Sequence, residues 1–202
     1  MEKILIVNGS PRAPKSNSKR YAEIFMRHSP MDSTYRQLTK KNHTELCKEI
    51  ADYSHLLLVF PLYADALPVG FLQFLKNLEA TPPSRKPTIS ILINCGFLEY
   101  EQNETAIRMM KLFCRRNHYT LGSVLMLGSG EAILDTPFKF IATLNIRQLA
   151  QSISSGNYRT LCATMPLSKR LFRMAAEIYW THYGKRFGTT KKQMKTMQIE
   201  KD

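Results

Sequence analysis

The sequence predicts an α/β fold in which a parallel sheet of five strands is wrapped by helices on both faces. Three observations carry this. Short apolar runs rich in β-branched residues recur along the first 127 residues, and the clearest of them read as strands buried on both faces. Between them lie segments whose apolar residues repeat at helical spacing. Loops marked by Gly, Pro, Ser or Asn separate the two, so strand and helix alternate. That is the rhythm of a parallel sheet with right-handed crossovers.

The elements follow in order. Lys3-Ile-Leu-Ile-Val-Asn8 is the first strand and stops at Gly9. Tyr21, Ile24, Phe25 and His28 then repeat as a helix, with Asn17 or Ser18 as its cap. Residues 34–38 form a weaker strand, and residues 44–53 a helix with Leu46, Ile50 and Tyr53 on one face. His55-Leu-Leu-Leu-Val-Phe60 is the clearest strand and stops at Pro61, which cannot donate to a ladder. Residues 69–78 are helical, with Phe71, Leu72, Leu75 and Leu78 inward. Thr88-Ile-Ser-Ile-Leu-Ile-Asn94 is the fourth strand. Residues 103–117 form an amphipathic helix carrying Ile107, Met110, Leu112 and Phe113, and residues 119–127 a fifth strand that ends at Gly128-Ser-Gly130. Beyond Pro137 the pattern turns helical, over residues 138–154 and 166–183, and residues 193–202 read as a frayed tail. The domain boundary is placed at 135/136: a sheet domain over residues 1–135 and a helical extension over 136–202.

The chain has 202 residues, 44% hydrophobic and 22% charged, enough for one domain with a real core. Its formal charge of +13 is unusual. From residue 159 to the end, ten Lys and Arg stand against three Asp and Glu, a net of +7, and the first 158 residues carry the other +6. Such a surface attracts phosphates, anionic cofactors, nucleic acid or anionic lipid. Cys47, Cys95, Cys114 and Cys162 form no CxxC pair and have no histidine at zinc-ligand spacing, so they read as free thiols and no metal site is expected. With no long apolar leader and no stretch of about 20 apolar residues, the expected location is cytoplasmic.

Ligands of open parallel sheets bind outside the carboxyl ends of the strands, where strand order reverses. That rule selects three loops. In the first, residues 9–18, Gly9 lets the chain turn off the strand. Ser10, Ser16, Asn17 and Ser18 offer hydroxyl and amide donors beside the unpaired N–H groups of a helix start, and Arg12 adds a charge. The loop contains neither GxxxxGK[ST] nor GxGxxG. In the second, Pro61-Leu-Tyr-Ala-Asp-Ala-Leu-Pro68, Tyr63 offers a flat surface, and the amides of residues 62–64 could address ring heteroatoms. In the third, Asn94-Cys-Gly-Phe-Leu-Glu99, Gly96 allows close approach and Phe97 can wall a pocket.

Gly9-Ser-Pro-Arg12 with Ser16-Asn-Ser18, then Pro61-Leu-Tyr63 through Leu67-Pro68 and Leu75-Lys76, resembles the NADPH-dependent FMN reductase family of the flavodoxin-like superfamily. The resemblance covers about residues 1–130. It implies a flavodoxin-like doubly wound fold with extra C-terminal helices and bound FMN. The phosphate would lie against Ser10, Arg12, Ser16, Asn17 and Ser18. The ring would lie against Pro61, Leu62, Tyr63 and Ala64, closed by Asn94, Cys95, Gly96 and Phe97. The family's first loop is more compact; here Ala13-Pro14-Lys15 precedes Ser16. The compact cysteine motif of related iron–sulfur flavoproteins is missing. The implied activity is hydride transfer from NAD(P)H through FMN to a quinone, a free flavin or a similar small acceptor, with no catalytic side chain named because the cofactor carries the chemistry. A homodimer is implied as well.

The rivals are a flavodoxin-like electron carrier without NAD(P)H turnover and a basic binding or sensor module. In the C-terminal segment Leu167, Leu171, Met174, Ala175, Ile178 and Tyr179 form an apolar stripe. It could pack on its own domain, build a homodimer interface, or lie on an anionic membrane surface. Nucleic acid is the weaker alternative.

Overall fold

The computed structural model describes residues 2–12 and 14–196. Six strands form one parallel sheet: β1 (Lys3–Asn8), β2 (Asp32–Gln37), β3 (His55–Pro61), β4 (Thr88–Asn94), β5 (Leu121–Leu127) and β6 (Thr160–Ala163), in the order β2-β1-β3-β4-β5-β6. The first five have the 2-1-3-4-5 order of flavodoxin-like sheets. The helices are α1 (Asn17–His28), α2 (His43–Glu49), α3 (Val69–Ala80), α4 (Glu104–Arg116), α5 (Lys139–Ser154), α6 (Lys169–Lys185) and α7 (Lys191–Thr196).

The sheet has six strands, not five. β6 is a four-residue edge strand, Thr-Leu-Cys-Ala, with only Ala163 buried, too short and too polar in its surroundings to stand out by periodicity. Pairing with β5 creates it: Val124 lies opposite Thr160 and Leu127 opposite Ala163.

The boundary also moves. The chain divides into two compact units, Met1–Met165 and Pro166–Asp202. Helix α5, placed by the sequence in the extension, belongs to the first unit, because it buries Ala142, Ile146, Leu149, Ala150 and Ile153. Each large apolar side chain so buried contributes about 1.5–3 kcal/mol, ample to hold the helix on the sheet. A buried hydroxyl pair, Ser123 to Ser152 at 2.6 Å, fastens it to β5. In the second unit α7 occupies residues 191–196, where a frayed tail was expected from residue 193; residues 197–202 lie outside the described residues.

The core has a layer on each face. Leu5, Val7, Leu56, Leu58 and Phe60 meet Phe71, Phe74, Leu78, Ala106, Ile107 and Met110 from α3 and α4. Ile4, Ile6, Leu57 and Val59 alternate to the other face, which α1 and α5 cover with Tyr21, Phe25, Ile146 and Leu149. On α4 the buried residues are Ala106, Ile107, Met110 and Cys114, while Leu112, expected inward, lies on the far side and is exposed.

Candidate functional site

Strand order reverses between β1 and β3, and their carboxyl ends are fastened together, the Gly9 N–H donating to the Val59 carbonyl at 2.8 Å. A Cβ on Gly9 would sit 2.7 Å from Phe71 Cδ2, so the tight exit from β1 requires glycine. The next residues are organised by Asn8, fully buried at the end of β1. Its Oδ1 accepts from the Ser10 N–H at 3.0 Å, and its Nδ2 donates to the Tyr35 hydroxyl at 3.0 Å and to Ser16 Oγ at 3.4 Å.

Ser16, not Asn17 or Ser18, caps α1. Its backbone is extended and its hydroxyl accepts from the Lys19 N–H at 3.2 Å, while its carbonyl takes the Arg20 N–H. The N–H groups of Asn17 and Ser18 are left without an intrahelical partner and point out from the positive end of the helix. The first turn of α1 holds no acid. Arg12 and Lys15 precede it in sequence and Lys19 and Arg20 lie within it, with Arg12, Lys19 and Arg20 paired to Glu131, Glu23 and Asp135.

Across this cradle stands the loop after β5. Arg12 Nη1 meets Glu131 Oε1 at 3.3 Å, Asn17 Nδ2 donates to the Glu131 carbonyl at 2.9 Å, and the buried Tyr21 hydroxyl donates to the Gly130 carbonyl at 2.7 Å. Arg20 grips Asp135 with two bonds, 2.9 and 2.6 Å, and these hold the Asp135 carboxyl below its ordinary range. Burial pushes the Tyr21 phenol upward, so it stays a donor.

The loops after β3 and β4 run side by side, the Leu62 N–H donating to the Asn94 carbonyl at 2.7 Å. Tyr63 and Ala66 exchange both backbone bonds around Ala64 and Asp65, whose φ values are +46° and +56°. This is a two-residue turn of the type that normally takes Asn-Gly. Its two non-glycine residues each store about 1 kcal/mol. Tyr63 and Phe97, one from each loop, are each 52% exposed, so two flat apolar surfaces project from adjacent strand ends. The third loop is fixed from behind: the Gly130 N–H donates to the Cys95 carbonyl at 2.7 Å, and a Cβ on Gly130 would sit 2.7 Å from Asn94 Cβ.

All three loops chosen from the sequence therefore meet at one edge, but their residues divide. Arg12, Ser16, Asn17, Tyr63, Ala64, Gly96 and Phe97 line or border the mouth, Pro61 and Leu62 are half-buried beneath it, and Ser10 is buried with its hydroxyl accepting from the Arg12 N–H at 3.3 Å. Ser18 and Asn94 are turned inward: the Asn94 amide donates to Ser18 Oγ and to the Phe60 carbonyl, both at 3.2 Å. The Cys95 thiol is buried, accepts from Asn103 Nδ2 and is pushed up to about 11 by desolvation, so it serves packing. The N–H groups of Leu62 and Tyr63 are taken by Asn94 and Ala66, leaving those of Ala64 and Asp65 on the turn and those of Gly96 and Phe97 to face a ligand. Asn8, Arg20, Tyr21, Glu131 and Asp135 were not foreseen as site residues. A polar residue at the last strand position before a glycine, as at Asn8, is a signal that could have been read. The cross-loop pairs come from residues 109 to 119 apart in sequence and carry none.

The arrangement fits an FMN-like ligand: a helix start with no acid in its first turn and Arg12 beside it for a phosphate, and two exposed aromatics with free amides for a flat ring. Glu131 and Asp135 oppose an anion there, and they stand already paired with Arg12 and Arg20.

No protein-family model matches the sequence, and no curated protein matches it. Solved structures do. An NAD(P)H:quinone oxidoreductase from Methanothermobacter marburgensis is 13% identical, with a TM-score of 0.59 over 76% of this chain and 97% of that one. An FMN-dependent NADH-azoreductase from Bacillus anthracis, solved in complex with FMN, is 11% identical, with a TM-score of 0.56 over 79% and 100%. A flavodoxin from Streptococcus pneumoniae is 13% identical, with a TM-score of 0.57 over 76% and 99%. The chain thus has the flavodoxin-like α/β fold.

Proposed function

We propose that this protein is an FMN-dependent reductase that uses NAD(P)H to reduce a small acceptor such as a quinone or a free flavin. One observation carries the reading. At the β1/β3 switch point a Ser16-capped helix start with no acid in its first turn lies on the same edge as two exposed aromatics, Tyr63 and Phe97, on adjoining loops. Ser16, Asn17 and Arg12 would hold the phosphate, and Tyr63, Ala64, Gly96 and Phe97 would hold the ring. Bound there, FMN would supply the hydride chemistry. The chain's own residues bind and orient: Asn8 shapes the phosphate loop, the Tyr63–Ala66 turn presents the Tyr63 ring, and Gly130 lets the loop after β5 seat against Asn94.

Two further points support a reductase over a plain electron carrier. The formal charge of +13 draws a dianionic or trianionic nicotinamide cofactor toward the surface. Two of the similar structures are reductases by their own description. Purified protein freed of flavin, titrated with FMN and then mixed with NADPH or NADH and a quinone, tests this. Tight FMN uptake followed by acceptor-dependent NAD(P)H consumption supports it. FMN uptake without NAD(P)H oxidation favours the carrier, and absence of FMN uptake removes both.

A further inference from the structure

A second recess opens on the carboxyl edge of the sheet. Its volume is about 660 Å³, within the range of small-molecule sites, and every residue lining it belongs to the first unit. One wall is the turn after β2, with Lys40, Lys41 and His43, and the other is the start of α3, with Val69, Gly70 and Gln73. Backbone connections fix its place. The Leu38 N–H donates to the Asn8 carbonyl at 2.9 Å, so the chain leaves β2 beside the exit of β1. Helix α3 begins where the loop of residues 62–68 ends. The recess therefore adjoins the Tyr63 side of the candidate site.

The lysines stand on an organised turn. Asn42 Oδ1 accepts from the Thr39 N–H and its Nδ2 donates to the Gln37 carbonyl, each at 2.8 Å, and the Lys41 N–H donates to Thr39 Oγ1 at 3.4 Å. Arg12, Lys19, Arg20 and Arg36 each have a carboxylate partner, whereas Lys40 and Lys41 have none among the described residues. Glu45, the acid nearest to them in sequence, does not line the recess, and α3 has no acid in its first turn. His43 is held from two sides: its Nδ1 accepts from the Asn77 amide at 3.3 Å, and its ring stands edge-on to Phe74. Burial lowers its pKa, so the ring stays neutral with its proton on Nε2. A Cβ on Gly70 would meet nothing within 4 Å, so packing does not call for glycine there, and its absence leaves the α3 backbone open to the recess.

We propose that this recess seats the adenosine end of the nicotinamide cofactor, with Lys40 and Lys41 on the 2′-phosphate that NADPH carries and NADH lacks. The inference rests on the reductase reading and adds the choice of reductant to it. A phosphate dianion matches two cations that no carboxylate has claimed. The exposed Val69 side chain and the lysine stems offer apolar surface to a base. A concave site of this volume fits a nucleotide better than the surface of an acidic protein.

The probes are adenosine 2′,5′-bisphosphate and adenosine 5′-monophosphate, titrated calorimetrically into full-length protein. The bisphosphate should bind roughly tenfold or more tightly than the monophosphate, and salt should weaken that preference. Lys40→Gln combined with Lys41→Gln should abolish it. Gln73→Glu, which sets a carboxylate on the opposite wall, should reduce it. In the FMN-loaded protein the double variant should lower the ratio of kcat/KM for NADPH over NADH by about tenfold while FMN affinity is kept. Equal affinity for the two nucleotides, or a preference that survives in the double variant, overturns the proposal. So does an equal loss of kcat/KM with both cofactors. Protein that takes up no FMN yet prefers the bisphosphate through these lysines would sink the reductase reading and keep the recess as a phosphate-selective adenosine site, so the two readings fail separately.

Discussion

The buried Asn94 side chain donates to the Ser18 hydroxyl at 3.2 Å and so joins the end of β4 to the start of α1 behind the candidate site. Ser18 is 1% exposed. Its side chain is therefore part of the frame that sets the distance between phosphate cradle and ring loops. Ser18→Ala leaves the Asn94 amide short of an acceptor, with a cost of about 1–2 kcal/mol and a fall in melting temperature of roughly 2–6 °C. A stability unchanged in urea and thermal unfolding, with a selective loss of FMN affinity, would instead place the Ser18 hydroxyl on the phosphate.

Arg12 and Glu131 compete for the same cradle. Arg12→Ala should weaken FMN binding about tenfold, the effect of one exposed charge-assisted contact, and Glu131→Gln should tighten it severalfold by removing an opposing carboxylate. Calorimetric titration of both variants checks the pair. Opposite signs confirm that the anion lands between them, and two unchanged affinities would put the phosphate elsewhere.

The turn at Ala64 and Asp65 is strained in the absence of glycine. Ala64→Gly should stabilise the protein by about 0.5–1 kcal/mol, the left-handed cost less the added chain entropy. Its midpoint in urea should rise. Tyr63→Ala, on a half-exposed side chain, should instead leave the melting temperature nearly unchanged and alter the fluorescence or redox behaviour of bound flavin. The reverse pattern would make Tyr63 a packing residue.

Arg20 and Asp135 give a pH signature. The Asp135 carboxyl is held below its ordinary value in the folded protein, so the stability it contributes is present above the unfolded pKa of about 3.9 and is lost as pH falls through the lower, folded one. The pair is largely exposed, so the contribution is below about 1 kcal/mol. Asp135→Asn should therefore lower stability slightly at neutral pH and not at all below the folded value. Equal losses at both would contradict an ionic role.

Much of this was legible in the sequence because strands β1, β3 and β4 are uniform apolar runs whose burial on both faces leaves no other reading. The loops that end them announced themselves by Gly9, Pro61 and Gly96. Strand β6 did not, since four residues at a sheet edge exist through pairing with β5 and carry no periodicity. The Arg20–Asp135 and Tyr21–Gly130 ties were equally silent, being made by tertiary proximity alone. Ser18 and Asn94 were expected to contact the cofactor, but they lie in the first turn of α1 and at the end of β4, where packing turns both inward. The Ser16 cap lay one residue before the expected position, within the ordinary uncertainty of helix ends.

The central claim is that the edge formed by the loops after β1, β3 and β4 binds FMN. The most direct test is titration of flavin-free, full-length protein with FMN, followed by visible absorption and by quenching of flavin fluorescence. Binding at one site per chain, with a perturbed flavin band and a loss of affinity in Arg12→Ala, is the expected result. A protein that leaves the FMN spectrum and fluorescence unchanged at concentrations of about 100 μM, a Kd weaker than roughly −5.5 kcal/mol of binding free energy, would contradict it.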